Sequence, residues 1–173
     1  EHQLLKDPDA RSTIEAYGIS YKVKDNYTLG IAYQQGVVNE NAGESYKRRA
    51  VSLSSSYDKS KFKLTNKFEY RIDNKSSLNE ETYVTTNGFS VRLTDSLRGL
   101  ANFDYSISRD RETDETIERY SEANVGFAFR PVTNNRLAIL GRYRNIQQDD
   151  KTSRTNVTDQ KKEIFEAEVN YKL

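Results

Sequence analysis

The chain has no cysteine, only two prolines, a single histidine and no long apolar run. Without cysteine there are neither disulfides nor thiolate metal sites, and a cysteine nucleophile is impossible. The prolines, Pro8 and Pro131, lie outside the alternating stretches described below, as strand pairing requires. The lone histidine, His2, sits at the N-terminus, so serine–histidine hydrolysis has no base where a strand could hold it. No stretch approaches the ~18 apolar residues of a membrane-crossing helix, and no secretory signal segment is present. The expectation is a mature product or an excised fragment. An excess of one charge is also missing. Lys and Arg number 27 and Asp and Glu 26, a formal net charge of +1. No global field steers the chain toward nucleic acid or acidic substrates. Hydrophobic residues make up 35% and mean hydropathy is -0.90. That is little for a packed core, but enough for a sheet with one apolar and one wet face.

What the chain does have is alternation. Nine stretches place apolar and polar residues on opposite sides with a period of 2, and no helical period of 3.6 competes. The first runs from about Thr13 to Val23, with Tyr17, Ile19, Tyr21 and Val23 against Gly18, Ser20 and Lys22. The second carries Tyr27, Leu29, Ile31 and Tyr33, and the third Val51, Leu53 and Tyr57. The fourth sets Phe62, Leu64, Phe68 and Tyr70 against Lys63, Thr65, Lys67, Glu69 and Arg71. The fifth carries Phe89, Val91 and Leu93; the sixth Ala101, Phe103, Tyr105 and Ile107; the seventh Ala123, Val125, Phe127 and Phe129. The eighth has Leu137, Ile139 and Tyr143, and the ninth Phe165, Ala167, Val169, Tyr171 and Leu173.

Tyr21, Tyr57, Leu93 and Phe129 fall 36 residues apart, each closing an alternating stretch, and Phe165 is one step further on. A fixed beat of this kind predicts one β-hairpin made repeatedly. The connections are expected to alternate: tight turns at 24–26, 58–60, 94–96 and 131–135, and longer loops at 39–46, 73–81, 109–118 and 147–160. The fold class expected is all-β, an antiparallel up-and-down transmembrane β-barrel, with 1–173 one barrel domain or a fragment of a larger one. Residues 1–11 then read as the remnant of an outer loop.

Alternating short and long connections are a habit of outer-membrane barrels. Aromatic residues also form two rows on the apolar side. Tyr21, Tyr27, Tyr57, Phe62, Phe129 and Tyr171 lie by the short turns. Tyr33, Tyr70, Tyr105 and Tyr143 lie ~6–8 residues away, roughly 20–27 Å at strand rise. Such rows match interfacial girdles around an apolar band. The opposite side would line a lumen with Lys63, Lys67, Glu69, Arg71, Arg92, Arg98, Asp104, Arg130, Arg142, Arg144, Glu166, Glu168 and Lys172. Nine of these are basic and four acidic, so an open lumen is expected to prefer anions. The competing reading is a soluble single-layer hairpin sheet. Nine strands is an odd number where single-chain bacterial barrels are even. At least one upstream strand is therefore expected to be missing. Leu173 either ends a terminal strand read by the assembly machinery or marks a second cut.

One hairpin is familiar. Ser121-Glu122-Ala123-Asn124-Val125-Gly126-Phe127-Ala128-Phe129-Arg130-Pro131-Val132, then Asn135-Arg136-Leu137-Ala138-Ile139-Leu140-Gly141-Arg142-Tyr143, resembles barrel regions of large bacterial surface proteins described as porin-like or OmpA-associated. Gly88 to Ile107 is similar to the preceding hairpin of that group. The resemblance implies the outer membrane of a Gram-negative cell, a pore or anchor role, and contact with lipid, lipopolysaccharide and the barrel-assembly machinery. It also implies further strands beyond 161–173. A weaker likeness is to barrels that sheath multihaem cytochromes, although the chain carries no haem-ligating signature.

Little else carries chemistry, and no enzyme and no cofactor is expected. Glu166 and Glu168 lie two apart on one side, and the ordinary role of such a pair is to neutralise Arg142, Arg144 or Lys172 rather than to cleave a glycoside. Asp149-Asp150 and the 110–118 acids lack the spacing of a calcium loop and suit a solvated outer loop. The Asn-X-Ser/Thr triplets at Asn26, Asn74 and Asn156 are chance matches in a bacterial protein, and no phosphate-cradling glycine loop occurs.

Overall fold

The computed structural model describes residues 13–39, 45–76, 78–132, 136–153 and 156–172. His2 and the rest of 1–11 lie outside the described residues, as does Leu173. Among the described residues nine strands form: β1 (Thr13–Lys24), β2 (Tyr27–Asn39), β3 (Ser45–Lys59), β4 (Phe62–Asn74), β5 (Asn79–Arg92), β6 (Leu97–Asp110), β7 (Thr116–Phe129), β8 (Leu137–Ser153) and β9 (Asn156–Tyr171). They make one antiparallel sheet in chain order, and among the described residues only consecutive strands touch. The sheet is a single layer and is not closed. β1 and β9 are its edges.

The ladders explain why the alternating residues separate. Each rung joins two residues of the same side, so pairs such as Ile31↔Leu53, Leu53↔Phe68 and Phe89↔Ala101 carry one face across the whole sheet. The result is inside-out for a soluble protein. Ile19 is 72% exposed and Phe165 77% exposed on the apolar face. The described buried residues Tyr46, Ala50, Glu69, Asp73, Thr82 and Ser108 all lie on the other, polar face. Burial without a second layer means that the sheet curls with its polar side concave. Small residues permit this: Gly18, Ser20, Gly30, Ala32, Ser52, Ser54 and Ser56 line the concave side of β1–β3. At Gly30 an added Cβ would come within 2.6 Å of Ser54 Oγ. On the convex side the Phe127 ring lies over Gly141, its rung partner, and shields a stretch of backbone that has no side chain of its own.

Strand lengths differ from the sequence-based expectation at one end. Stretches expected as loops at 73–81 and 109–118 are about half strand and 147–160 is mostly strand: β4 reaches Asn74, β6 reaches Asp110, β8 reaches Ser153 and β9 starts at Asn156. Both faces are polar there, as in Gln147-Gln148-Asp149-Asp150, so period 2 vanishes from the sequence. The ladder persists because its hydrogen bonds are made by the backbone. The expected alternation of connection lengths consequently fails at the C-terminal end. The β7–β8 connection spans 130–136, whereas β8 and β9 are separated only by 154–155. Pro131 contributes by ending β7 where a ladder donor is needed.

The 36-residue beat acquires a geometric meaning. From Tyr21 the rungs lead through Leu29, Ser55, Asn66, Asn87 and Phe103 to Ala123 on β7. Phe129, the matching end residue, lies six residues beyond Ala123 after six steps from β1 to β7. The apolar band therefore slips by one residue per strand. With ~3.3 Å rise and ~4.8 Å strand spacing, that slip tilts the strands by about 35° to the band's normal.

Candidate functional site

The polar face is the part of the fold with chemistry to offer. Among the residues expected to line a lumen, Lys63, Lys67, Glu69 and Arg71 on β4 share it with Arg92 on β5 and with Arg98 and Asp104 on β6. Arg142 and Arg144 on β8 and Glu166 and Glu168 on β9 complete the set within strands. Arg130 and Lys172 lie one residue past β7 and β9. Their backbone N–H groups still extend the ladder, donating to Ser96 O at 2.7 Å and Arg136 O at 2.8 Å.

Ion pairs cross this face. Arg48 Nε and Nη2 donate to the two oxygens of Asp73 at 2.8 Å each, a bidentate fork, and Nη2 also donates to Tyr46 Oη at 3.0 Å. Arg48 and Asp73 are rung partners on β3 and β4. Glu69 accepts from Lys67 Nζ at 2.8 Å and Arg71 Nη2 at 2.7 Å. Lys75 Nζ donates to Glu80 at 3.0 Å, and the Thr82 and Ser108 hydroxyls meet at 2.9 Å. Toward the other edge, Arg142 Nε donates to Glu166 at 2.7 Å, and Glu122 takes the Tyr120 hydroxyl at 2.6 Å with Arg144 Nε 3.2 Å away. Glu168 accepts from the Asn170 amide at 2.6 Å. Glu166 and Glu168 are thus engaged separately.

Sequence reasoning missed Tyr46, Arg48, Asp73, Glu80, Thr82, Ser108 and Glu122. They share the parity of the polar face, but most fall where both faces are polar and no alternation flags them. Their acids also change the charge balance, which the sequence-based set of nine bases to four acids overstated. The surplus of base persists at one end. Arg92 and Arg98 face each other across a rung of β5 and β6, and Arg130 follows just past the end of β7. None of the three has an ion-pair partner among the described residues. Opposed like charges destabilise a sheet slightly. Asp58 and Asp95 lie at the same end, Asp58 3.7 Å from Lys63 Nζ, so the basic groups there outnumber the acids without standing alone. Among the described residues no three His, Asp or Glu side chains converge as a metal site.

The aromatic residues Tyr21, Tyr27, Tyr33, Tyr57, Phe62, Tyr70, Tyr105, Phe129, Tyr143 and Tyr171 all share the convex apolar face. Near the short turns Tyr57 packs on Phe62 with centroids 5.3 Å apart. In the second row one rung carries Tyr17, Tyr33, Val51, Tyr70 and Tyr83 across five strands. Their hydroxyls turn away from the apolar band: Tyr17 to Glu15 and Tyr33 to Gln35, both at 3.3 Å, and Tyr70 to Glu81 at 2.9 Å. The rings stay with the apolar residues while the oxygens reach the polar margin, as interfacial tyrosines do. The strand tilt shortens the ~20–27 Å measured along a strand to roughly 16–22 Å across the band.

Comparison with protein families, with curated proteins and with solved structures gives no match to this chain. The antiparallel up-and-down sheet agrees with the likeness of the Phe129-Arg130-Pro131-Val132 hairpin to porin-like barrels in fold alone.

Proposed function

We propose that this sheet is part of the wall of a transmembrane β-barrel in a bacterial outer membrane, with its apolar convex face in lipid and its polar concave face toward water, and that it acts as a passive pore. The observation that carries the reading is the inverted face pattern: large apolar side chains lie exposed on one face, while carboxylates and hydroxyls are buried on the other. The exposed apolar side chains run from rung to rung rather than being scattered singly, as on a surface that meets a partner or lipid. The one-residue slip supports it too, because a tilt of about 35° falls in the range for closed barrels. So do the tyrosine hydroxyls at the band's margin. Connection lengths do not separate the two ends, so orientation rests on the polar strand extensions near 73–81, 109–118 and 147–160, which suit the outer side. Lipid, lipopolysaccharide and the barrel-assembly machinery are the partners this reading needs.

A second reading, an anchor or sheath for another domain or a cytochrome, draws on the ion-pair lattice. Arg48–Asp73, the Glu69 group and Arg142–Glu166 satisfy one another across strands and stiffen a wall with or without conduction.

Conductance across a planar bilayer separates them. A pore lined by the unpaired rim of Arg92, Arg98 and Arg130 gives a reversal potential on the anion side in a salt gradient. The triple variant Arg92→Glu, Arg98→Glu, Arg130→Glu is expected to bring it to the cation side. An inserted chain that never conducts supports the anchor.

A further inference from the structure

The convex apolar face carries one polar cluster at mid-depth. On β4 Asn66 lies four residues from Phe62 and four from Tyr70, halfway between the aromatic rows. Its rung partners are Ser55 on β3 and Asn87 on β5. Leu64, Phe68, Phe89 and Phe103 surround the two amides. Asn66 Nδ2 donates to Asn87 Oδ1. Asn87 Nδ2 in turn donates to Thr85 Oγ1 at 3.1 Å and to the Phe103 carbonyl at 3.2 Å. That accounting leaves Asn66 Oδ1, its second N–H, and the Ser55 hydroxyl without partners among the described residues. In hydrocarbon, such groups are costly unless a neighbour satisfies them.

We infer that this patch is an intramembrane contact between two copies of the chain. The inference rests on the membrane reading above. The occupant follows from the chemistry of the patch. It carries no charge, so nothing in it selects a charged partner. An amide offers donor and acceptor together, so the open Asn66 amide of one copy complements the same amide of another about a two-fold axis. Self-complementarity is what an isologous dimer contact requires. Ser and Asn side chains hydrogen-bond across interfaces within membranes, and here Asn66 is exposed on the convex face.

The test uses the full chain in lipid vesicles, with flotation reporting insertion and energy transfer between labelled copies reporting association. The wild type is expected to float and to associate. The double variant Asn66→Leu, Asn87→Leu is expected to float equally and to weaken association by about tenfold. The lack of native cysteine allows a second measurement that spares the amides. Ser55→Cys is expected to cross-link between copies on oxidation, and Ser54→Cys, on the opposite face, is not. A chain that floats but stays monomeric, or a leucine variant that associates as well as the wild type, overturns the dimer and leaves the membrane reading standing. A chain that does not float overturns both.

Discussion

Leu53→Arg is expected to lower the stability of the lipid-embedded chain by about 2–4 kcal/mol, the cost of arginine near the midplane of a barrel's lipid face. Leu53 lies in the middle of β3, 57% exposed, with Ile31 and Phe68 on its two rungs. Nothing in the sheet packs over it, so the loss would come from the medium and not from a lost contact. In water the same substitution would stay within about 0.5 kcal/mol, as exposed surface changes usually do. Denaturant unfolding in vesicles, followed by circular dichroism, reads the difference. A small effect in lipid would count heavily against the convex face meeting hydrocarbon.

The second large effect is expected on the other side of the sheet. Asp73→Ala should cost about 2–3 kcal/mol, because it leaves the Arg48 guanidinium without its bidentate partner on a half-enclosed face. The Asp73 side chain is 6% exposed and that of Arg48 22%, so water reaches the arginine and keeps the loss below that of a fully buried pair. The double variant Arg48→Met, Asp73→Leu should recover most of it, since replacing both charges removes the unpaired one. A single and a double variant with the same loss would mean that the pair's value is not its mutual neutralisation. Unfolding midpoints of the four proteins in one detergent supply the cycle.

The parts of this fold legible in the sequence are those where one face is apolar and the other is not. In β4 the run from Phe62 to Arg71 declares its period and its faces without any further information, whereas its register with β3 is set by a turn at 60–61 rather than the expected 58–60. In β8 the residues beyond Ile146 give no such signal, because Gln147, Gln148, Asp149 and Asp150 are polar on both sides, and the strand there is held by backbone pairing with β9. The same gap hid Asp73, and with it the pairing to Arg48, which lies 25 residues away and is joined only through the β3–β4 rung. Asn66 escaped for another reason. It occupies an apolar-face position in the middle of the strand where alternation is clearest, so the pattern reads through it. Connection length misled at the C-terminal end because strand extension, rather than loop, fills 147–153.

The most direct measurement uses the absence of cysteine. Single cysteines placed one at a time from Ala123 to Ala128 on β7, each carrying a fluorophore, would be exposed to a quencher dissolved in the lipid and to another in water. Odd positions there share the convex face and even positions the concave face. The account predicts lipid-phase quenching at 123, 125 and 127 and aqueous quenching at 124, 126 and 128. Aqueous quenching at every position would contradict it.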